Sequence, residues 1–144
     1  MPTKATKGRG AKRAGVLGWP AGKSRSPEIY ARLSKLLKKP LDYERLTVAP
    51  HDLPAFADRL RKTGAEEGWI GLNVTIPHKE AMLRHLDSVK MDAKAIGAVN
   101  VVTVGRRQLS GDNTDAGGFL DALAERNVPV QGSEALLFGA GGAA

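Results

Sequence analysis

Residues 14–37, AGVLGWPAGKSRSPEIYARLSKLL, decide how the rest of the chain is read. AGVLGW is a short apolar run closed by Gly18 and Pro20, the pattern of a buried strand feeding a loop. In the stretch that follows, Ser26 is placed to cap a helix. Pro27 suits that helix's first turn, where its missing N–H is not needed. Ile29, Leu33, Leu36 and Leu37 fall on one stripe of the same helix, and Pro40 stops it. The unit is strand, loop, helix.

The same unit recurs after it. LDYERLTV (41–48) reads as a second strand. Asp52 caps a second helix with the stripe Leu53, Phe56, Ala57 and Leu60, ended by Gly64. WIGLNVT (69–75) is a third strand, and a third helix is expected from Pro77 through Met82, Leu83 and Leu86. AVNVVTVG and RQLSG read as two strands joined by a tight turn at Gly105. A helix starting near Thr114 carries Phe119, Leu120 and Leu123, and ALLF (135–138) is the last strand. Such alternation predicts an α/β fold: a mainly parallel sheet with helices on both faces, three layers in all.

Composition narrows the function classes. With 42% hydrophobic residues and 144 in all, one domain with a real core is affordable. No run approaches the roughly 20 apolar residues of a membrane helix. Without cysteine there is neither a disulfide framework nor a thiolate metal site. His51, His78 and His85 are dispersed, and the His78/His85 pair, seven apart on the expected third helix, lacks a third ligand, so no metal is expected. The net charge of +7 owes five charges to Lys4, Lys7, Arg9, Lys12 and Arg13, leaving +2 elsewhere. Residues 1–13 therefore read as a disordered basic tail. A secretory signal would need an apolar core after the basic start, which is lacking. A nucleic-acid arm would want an aromatic platform or a basic helix, and neither follows.

In sheets of this class ligands bind beyond the carboxyl ends of the strands. There the chain places GWPAGKSRSP, NVTIPHK, GDNTDAGG and GAGGAA. Singly, these have bland explanations: Ser26 as a cap, Asn73 and Thr75 as strand ends, Asn113, Thr114 and Asp115 as the start of a helix. Together, Ser24, Ser26, Thr75, Asn100 and Asp115 are short polar side chains suited to a small molecule with several hydroxyls. Lys79 falls in the first turn of the helix expected from Pro77, where exposed N–H groups carry partial positive charge. A cation is disfavoured there, so its amine is expected to give up a proton more readily and to serve as a general acid or base. Asp115 is its plausible partner, and the bland alternative is a surface lysine.

KSRSP, GLNVTIPHKE, AIGAVN, GDNTDAGGF and GAGGAA occur in the order and at about the spacing found in the shikimate dehydrogenases, and the chain resembles that family from Ala14 to Ala144. The resemblance implies NADPH-dependent reduction of 3-dehydroshikimate to shikimate, in aromatic amino-acid biosynthesis in the cytoplasm. By matching position it implies that Ser24 and Ser26 hold the substrate carboxylate, that Thr75, Asn100 and Asp115 hold ring hydroxyls, and that Lys79 and Asp115 are the catalytic pair. Gly139, Ala140, Gly141, Gly142 and Ala143 would cradle the pyrophosphate of NADP in the opening of a Rossmann-type domain. The implied organisation is a substrate domain at 14–112, a linking helix at 113–132 and the truncated start of the cofactor domain at 133–144.

The chain departs from the family's usual pattern at Lys23, Tyr30, Ala31 and Val101, which leaves shikimate and quinate as alternative substrates. The segment that would select NADP over NAD is not in the chain. By itself the chain is expected to be inactive, with Leu136, Leu137 and Phe138 poorly held. A non-catalytic binding module for a cyclic polyol acid is the alternative from a different class. The expected partner is a small molecule, with neither nucleic acid nor membrane, and the reading assigns no oligomeric state.

Overall fold

The structure, a computed structural model, describes residues 12–139, 141 and 142. Six strands form one sheet: β1 (Lys12–Gly18), β2 (Leu41–Thr47), β3 (Trp69–Val74), β4 (Ser88–Val89), β5 (Val101–Gly105) and β6 (Gln108–Asp112). Their order is β2-β1-β3-β5-β6-β4. β1 pairs in parallel with β2 and β3, and β4 with β6, whereas β5 runs antiparallel to both of its neighbours. Five strands therefore share one direction, as the alternation of elements predicts. The helices are α1 (Ser26–Leu36), α2 (Leu53–Thr63), α3 (His78–Ala81), α4 (Met91–Ile96) and α5 (Asp115–Glu125).

The core lies between the sheet and α2. Leu53, Ala57 and Leu60 of α2 pack with Leu17, Leu72, Val74, Val102 and Leu109 of the strands, all buried. Side chains alternate across a strand, so Tyr43 and Asn73 point to the other face. There α1 lies, with Tyr30 stacked on Tyr43 at 4.3 Å. No residue of α1 is buried. Its apolar stripe has the expected period, but the sheet beneath it does not enclose it.

Several expectations are corrected. The basic tail lies outside the described residues as far as residue 11, but Lys12 and Arg13 belong to β1. Arg13 is held there by Glu44, with Nη2 to Oε1 at 2.6 Å, and by the face of Trp69 at 4.1 Å. Ser26 is the first residue of α1 rather than its cap; its N–H donates to Ser24 Oγ at 3.2 Å. Asp52 makes no capping bond and closes a single 3₁₀ turn before α2.

The helix expected from Pro77 to Leu86 stops after four residues. A 3₁₀ turn, Met82–His85, replaces its second half, and Leu86 is extended. The His85 carbonyl accepts Arg61 Nη2 at 2.6 Å, and Asp87 N–H donates to Leu109 at 2.9 Å, so the chain is drawn off into β4. His78 and His85 accordingly do not share one helix. The β5–β6 turn is made by Arg106 and Arg107, one step beyond Gly105, with Arg107 at φ 56°. Finally, residues 135–138 form no strand, and Leu136, Leu137 and Phe138 are 81%, 69% and 90% exposed. An apolar run becomes a strand only beside another strand, and none of the described strands pairs with this one.

Candidate active site

The parallel strands bring their carboxyl ends to one rim. β5 runs the other way, so its beginning lies on that rim too, and Asn100 stands just before it. The rim thus gathers residues that follow β1, β3 and β6 and one that precedes β5.

Asp115, the first residue of α5, is the centre of the gathering. Lys79 Nζ donates to its Oδ2 at 2.6 Å. Asn100 Nδ2 donates to its Oδ1 at 2.6 Å. Asn100 also donates to Thr114 Oγ1 at 3.0 Å and accepts the Thr114 N–H on Oδ1 at 2.9 Å, so both ends of its amide have partners. The Lys79 carbonyl accepts the Val99 N–H at 2.9 Å, tying the turn that carries the lysine to the segment that carries Asn100. The Lys79 side chain is 14% exposed and that of Asp115 51%: an ammonium sheltered in the wall faces a carboxylate open to a ligand. The one-turn α3 is too short for the helix-terminus field invoked from sequence; the position of Lys79 is set by Asp115 and by its backbone instead.

Next to this pair lies a cleft of about 730 Å³, lined by Lys79, Ile96, Asn113, Asp115 and Phe119 and by Gly142 of the glycine loop. Of the glycine-loop residues, Ala140 and Ala143 lie outside the described residues. Gly139, Gly141 and Gly142 line a second opening of about 430 Å³ with Lys79 and Glu80. A Cβ added to Gly142 would stand 3.0 Å from Lys79 Cβ, closer than most such contacts allow. Gly139 has φ 104°, a conformation that L side chains rarely adopt. The Gly142 contact places the loop against the lysine.

The other sequence candidates stand apart from that cluster. Ser24 Oγ donates to Ser26 Oγ at 3.1 Å, and the Ser24 carbonyl accepts Arg45 Nη2 at 2.9 Å. Thr75 follows β3, and its N–H donates to Leu17 at 2.9 Å. Gly18 is the neighbour that admits it: a Cβ there would lie 2.6 Å from Thr75 Cγ2. No direct hydrogen bond joins Ser24, Ser26 or Thr75 to Lys79 or Asp115 among the described residues. Three polar contributors were passed over in the sequence or given a bland role. Tyr43 donates to Asn73 Oδ1 at 2.7 Å, and burial pushes its phenol up to about 12. His78 is buried, with Nε2 donating to the Val48 carbonyl at 2.7 Å. Asn113 is buried beneath Asp115. Nothing local marks these three, because each depends on a partner 15 or more residues away in the chain or on burial. Among the described residues no three His, Asp or Glu side chains converge as metal ligands, and no helix is long and apolar enough to cross a membrane.

Comparison with known proteins adds to this geometry. Residues 16–102 match the family model for the shikimate dehydrogenase substrate binding domain. The chain is 42% identical over 133 residues to the NADP(+) shikimate dehydrogenase of Carboxydothermus hydrogenoformans, covering 92% of this chain and 46% of that protein. It superposes with TM-score 0.81 and 41% identity on shikimate 5-dehydrogenase from Thermus thermophilus in complex with shikimate, covering 92% of this chain and 49% of that one. The complex of the Thermus enzyme with NADP(H) and shikimate gives TM-score 0.74 and 39% identity, covering 82% and 43%. The chain thus spans under half the length of these relatives.

Proposed function

The chain belongs to the shikimate dehydrogenase family, within its substrate-binding domain, and on that premise we propose that it forms the substrate-holding part of an NADPH-dependent enzyme that reduces 3-dehydroshikimate to shikimate. The observation that carries this reading is the Lys79–Asp115 pair, 2.6 Å apart, with Asn100 on the second carboxylate oxygen and the glycine loop beside the lysine. Ser24 and Ser26 hold the substrate carboxylate with their paired hydroxyls. Thr75, Asn100 and Asp115 hold the ring hydroxyls.

Reduction of a ketone needs a hydride at carbon and a proton at oxygen. Gly139, Ala140, Gly141, Gly142 and Ala143 are the residues that would hold the pyrophosphate of NADPH, which would supply the hydride. Lys79 supplies the proton to the oxygen at C3, and Asp115 keeps the ammonium aimed at that oxygen. The work is aromatic amino-acid biosynthesis in the cytoplasm.

The test has two arms. Calorimetry on this chain measures shikimate and quinate binding, and binding of shikimate without NADPH consumption is the expected result. In an enzyme carrying this chain ahead of a complete cofactor-binding domain, Lys79→Ala lowers kcat by about 10²–10⁴-fold, the usual worth of a general acid–base. Turnover within about twofold of wild type would remove Lys79 from the chemistry. Tighter binding of quinate than of shikimate would reassign the substrate, and faster turnover with NADH than with NADPH the cofactor.

A further inference from the structure

We infer that Asn113 is the positioning residue that fixes where Asp115 presents its carboxylate. Asn113 is one of the few polar side chains buried among the described residues, together with His78 and Asn100. A buried amide is costly unless both of its ends are satisfied. Here both are. Nδ2 donates to the Ala98 carbonyl at 3.0 Å, and Oδ1 accepts the Asp115 N–H at 2.9 Å.

The two partners identify the role. Ala98 lies in the segment between α4 and β5 that also carries Asn100, which grips the Asp115 carboxylate. The Asp115 N–H belongs to the residue whose carboxylate pairs with Lys79. One side chain therefore ties the backbone of Asp115 to the same segment that holds its carboxyl group. Asn100 and Lys79 fix the two oxygens, and Asn113 fixes the main chain from which they project. The Asn113 N–H in turn donates to Asp112 Oδ1 at 2.8 Å, and the other Asp112 oxygen takes Lys90 Nζ at 2.6 Å, so the anchor is itself braced at the end of β6.

The bridge needs a donor and an acceptor in one short side chain. Asparagine offers both, aspartate lacks the donor, and serine reaches only one partner. A displacement near 1 Å at a reacting group can cost about 10²-fold in rate. Asn113 lines the same cleft, but both ends of its amide are bonded to the protein, so it acts through Asp115.

The inference rests on the catalytic reading of Asp115, and its test separates the two. In an enzyme carrying this chain and a complete cofactor-binding domain, kcat is scored per shikimate-binding site counted by calorimetry. Asn113→Ala is expected to lower kcat per site by about 10²-fold, with a much smaller change in KM because Ser24, Ser26 and Thr75 are untouched. Asn113→Ser, which keeps an acceptor for the Asp115 N–H, is expected to recover part of the loss. If both variants merely reduce the number of sites and leave kcat per site unchanged, Asn113 serves the fold alone and the inference fails. It also fails if Asn113→Ala stays within about twofold of wild type. Asp115→Asn is measured alongside: full activity there overturns the functional reading, whereas a dead Asp115→Asn beside a healthy Asn113→Ala overturns only this inference.

Discussion

On one face of the sheet α2 sinks Leu53, Ala57 and Leu60 to 1%, 1% and 4% exposure. On the other face α1 leaves Ile29, Leu33 and Leu36 at 54%, 40% and 78%. Both helices carry an apolar stripe at helical spacing. What differs is the surface each stripe meets. α2 lies over Leu72, Val74, Val102, Val104 and Leu109, a continuous apolar floor drawn from three strands. α1 lies near the β2 edge, where Tyr43 is its stacking partner and donates to Asn73, two strands away. Helical period therefore reports which side of a helix is apolar, whereas burial depends on how much sheet lies beneath it.

The sharpest way to break this comparison is Leu53→Ala. The side chain is fully enclosed, so truncation loses its transfer energy and leaves a cavity. The expected cost is about 2–5 kcal/mol, the range for a buried leucine. Urea unfolding of the chain measures it. A loss below about 1 kcal/mol would mean that α2 is no better packed than α1.

Acid acts more mildly. On the α2 face, Asp87 Oδ2 accepts the Leu109 N–H at 2.7 Å and Arg61 Nε at 3.1 Å. The Leu109 bond first, and the guanidinium with it, hold this carboxyl below the usual carboxylate range. Lys90 does the same for Asp112, chiefly through its hydrogen bond. On the α1 face, the hydrogen bond from Arg45 lowers Glu28. In each case the unfolded chain binds the proton more tightly than the folded one. The stabilisation is thus present above the ordinary carboxylate range and is lost as pH falls through the lowered values. Melting temperature is expected to fall as the solution is taken below about pH 4, and Asp87→Asn is expected to flatten that fall. A melting temperature that rises on acidification would contradict the sign.

Much of this was legible in the sequence. β1, β2, β3, α1 and α2 stand where their apolar runs, Pro27, Pro40 and Gly64 put them. Lys79 and Asp115 meet because strand-to-helix loops of a mainly parallel sheet open on one rim, and Asn100 joins them because the antiparallel β5 begins there. The larger misreadings share a physical cause, dependence on a distant partner. Met82, Leu83 and Leu86 have helical spacing, yet Arg61 takes the His85 carbonyl and the chain turns away. β4 has two residues, too few for any pattern, and exists because β6 offers it a ladder. Arg13 has the composition of a tail and the neighbours of a strand. ALLF has the composition of a strand and no neighbour. Asn113 sits in a motif read from the sequence, but its bridging role needs the position of Ala98.

The smallest expected effect is the counterpart of Leu53→Ala on the other face. Leu36 ends α1, belongs to the same apolar stripe as Ile29 and Leu33, and is 78% exposed. Because most of its surface already meets water, removing it forfeits little transfer energy and opens no cavity. Alanine is also a slightly better helix former than leucine, which offsets part of what remains. Leu36→Ala is therefore expected to change stability by no more than about 0.5 kcal/mol, the ordinary range for a surface substitution. The measurement is the same urea unfolding used for Leu53→Ala, so the two leucines share one reference state. A cost for Leu36→Ala approaching that of Leu53→Ala would mean that the α1 stripe is covered in solution, and the contrast between the two faces of the sheet would disappear.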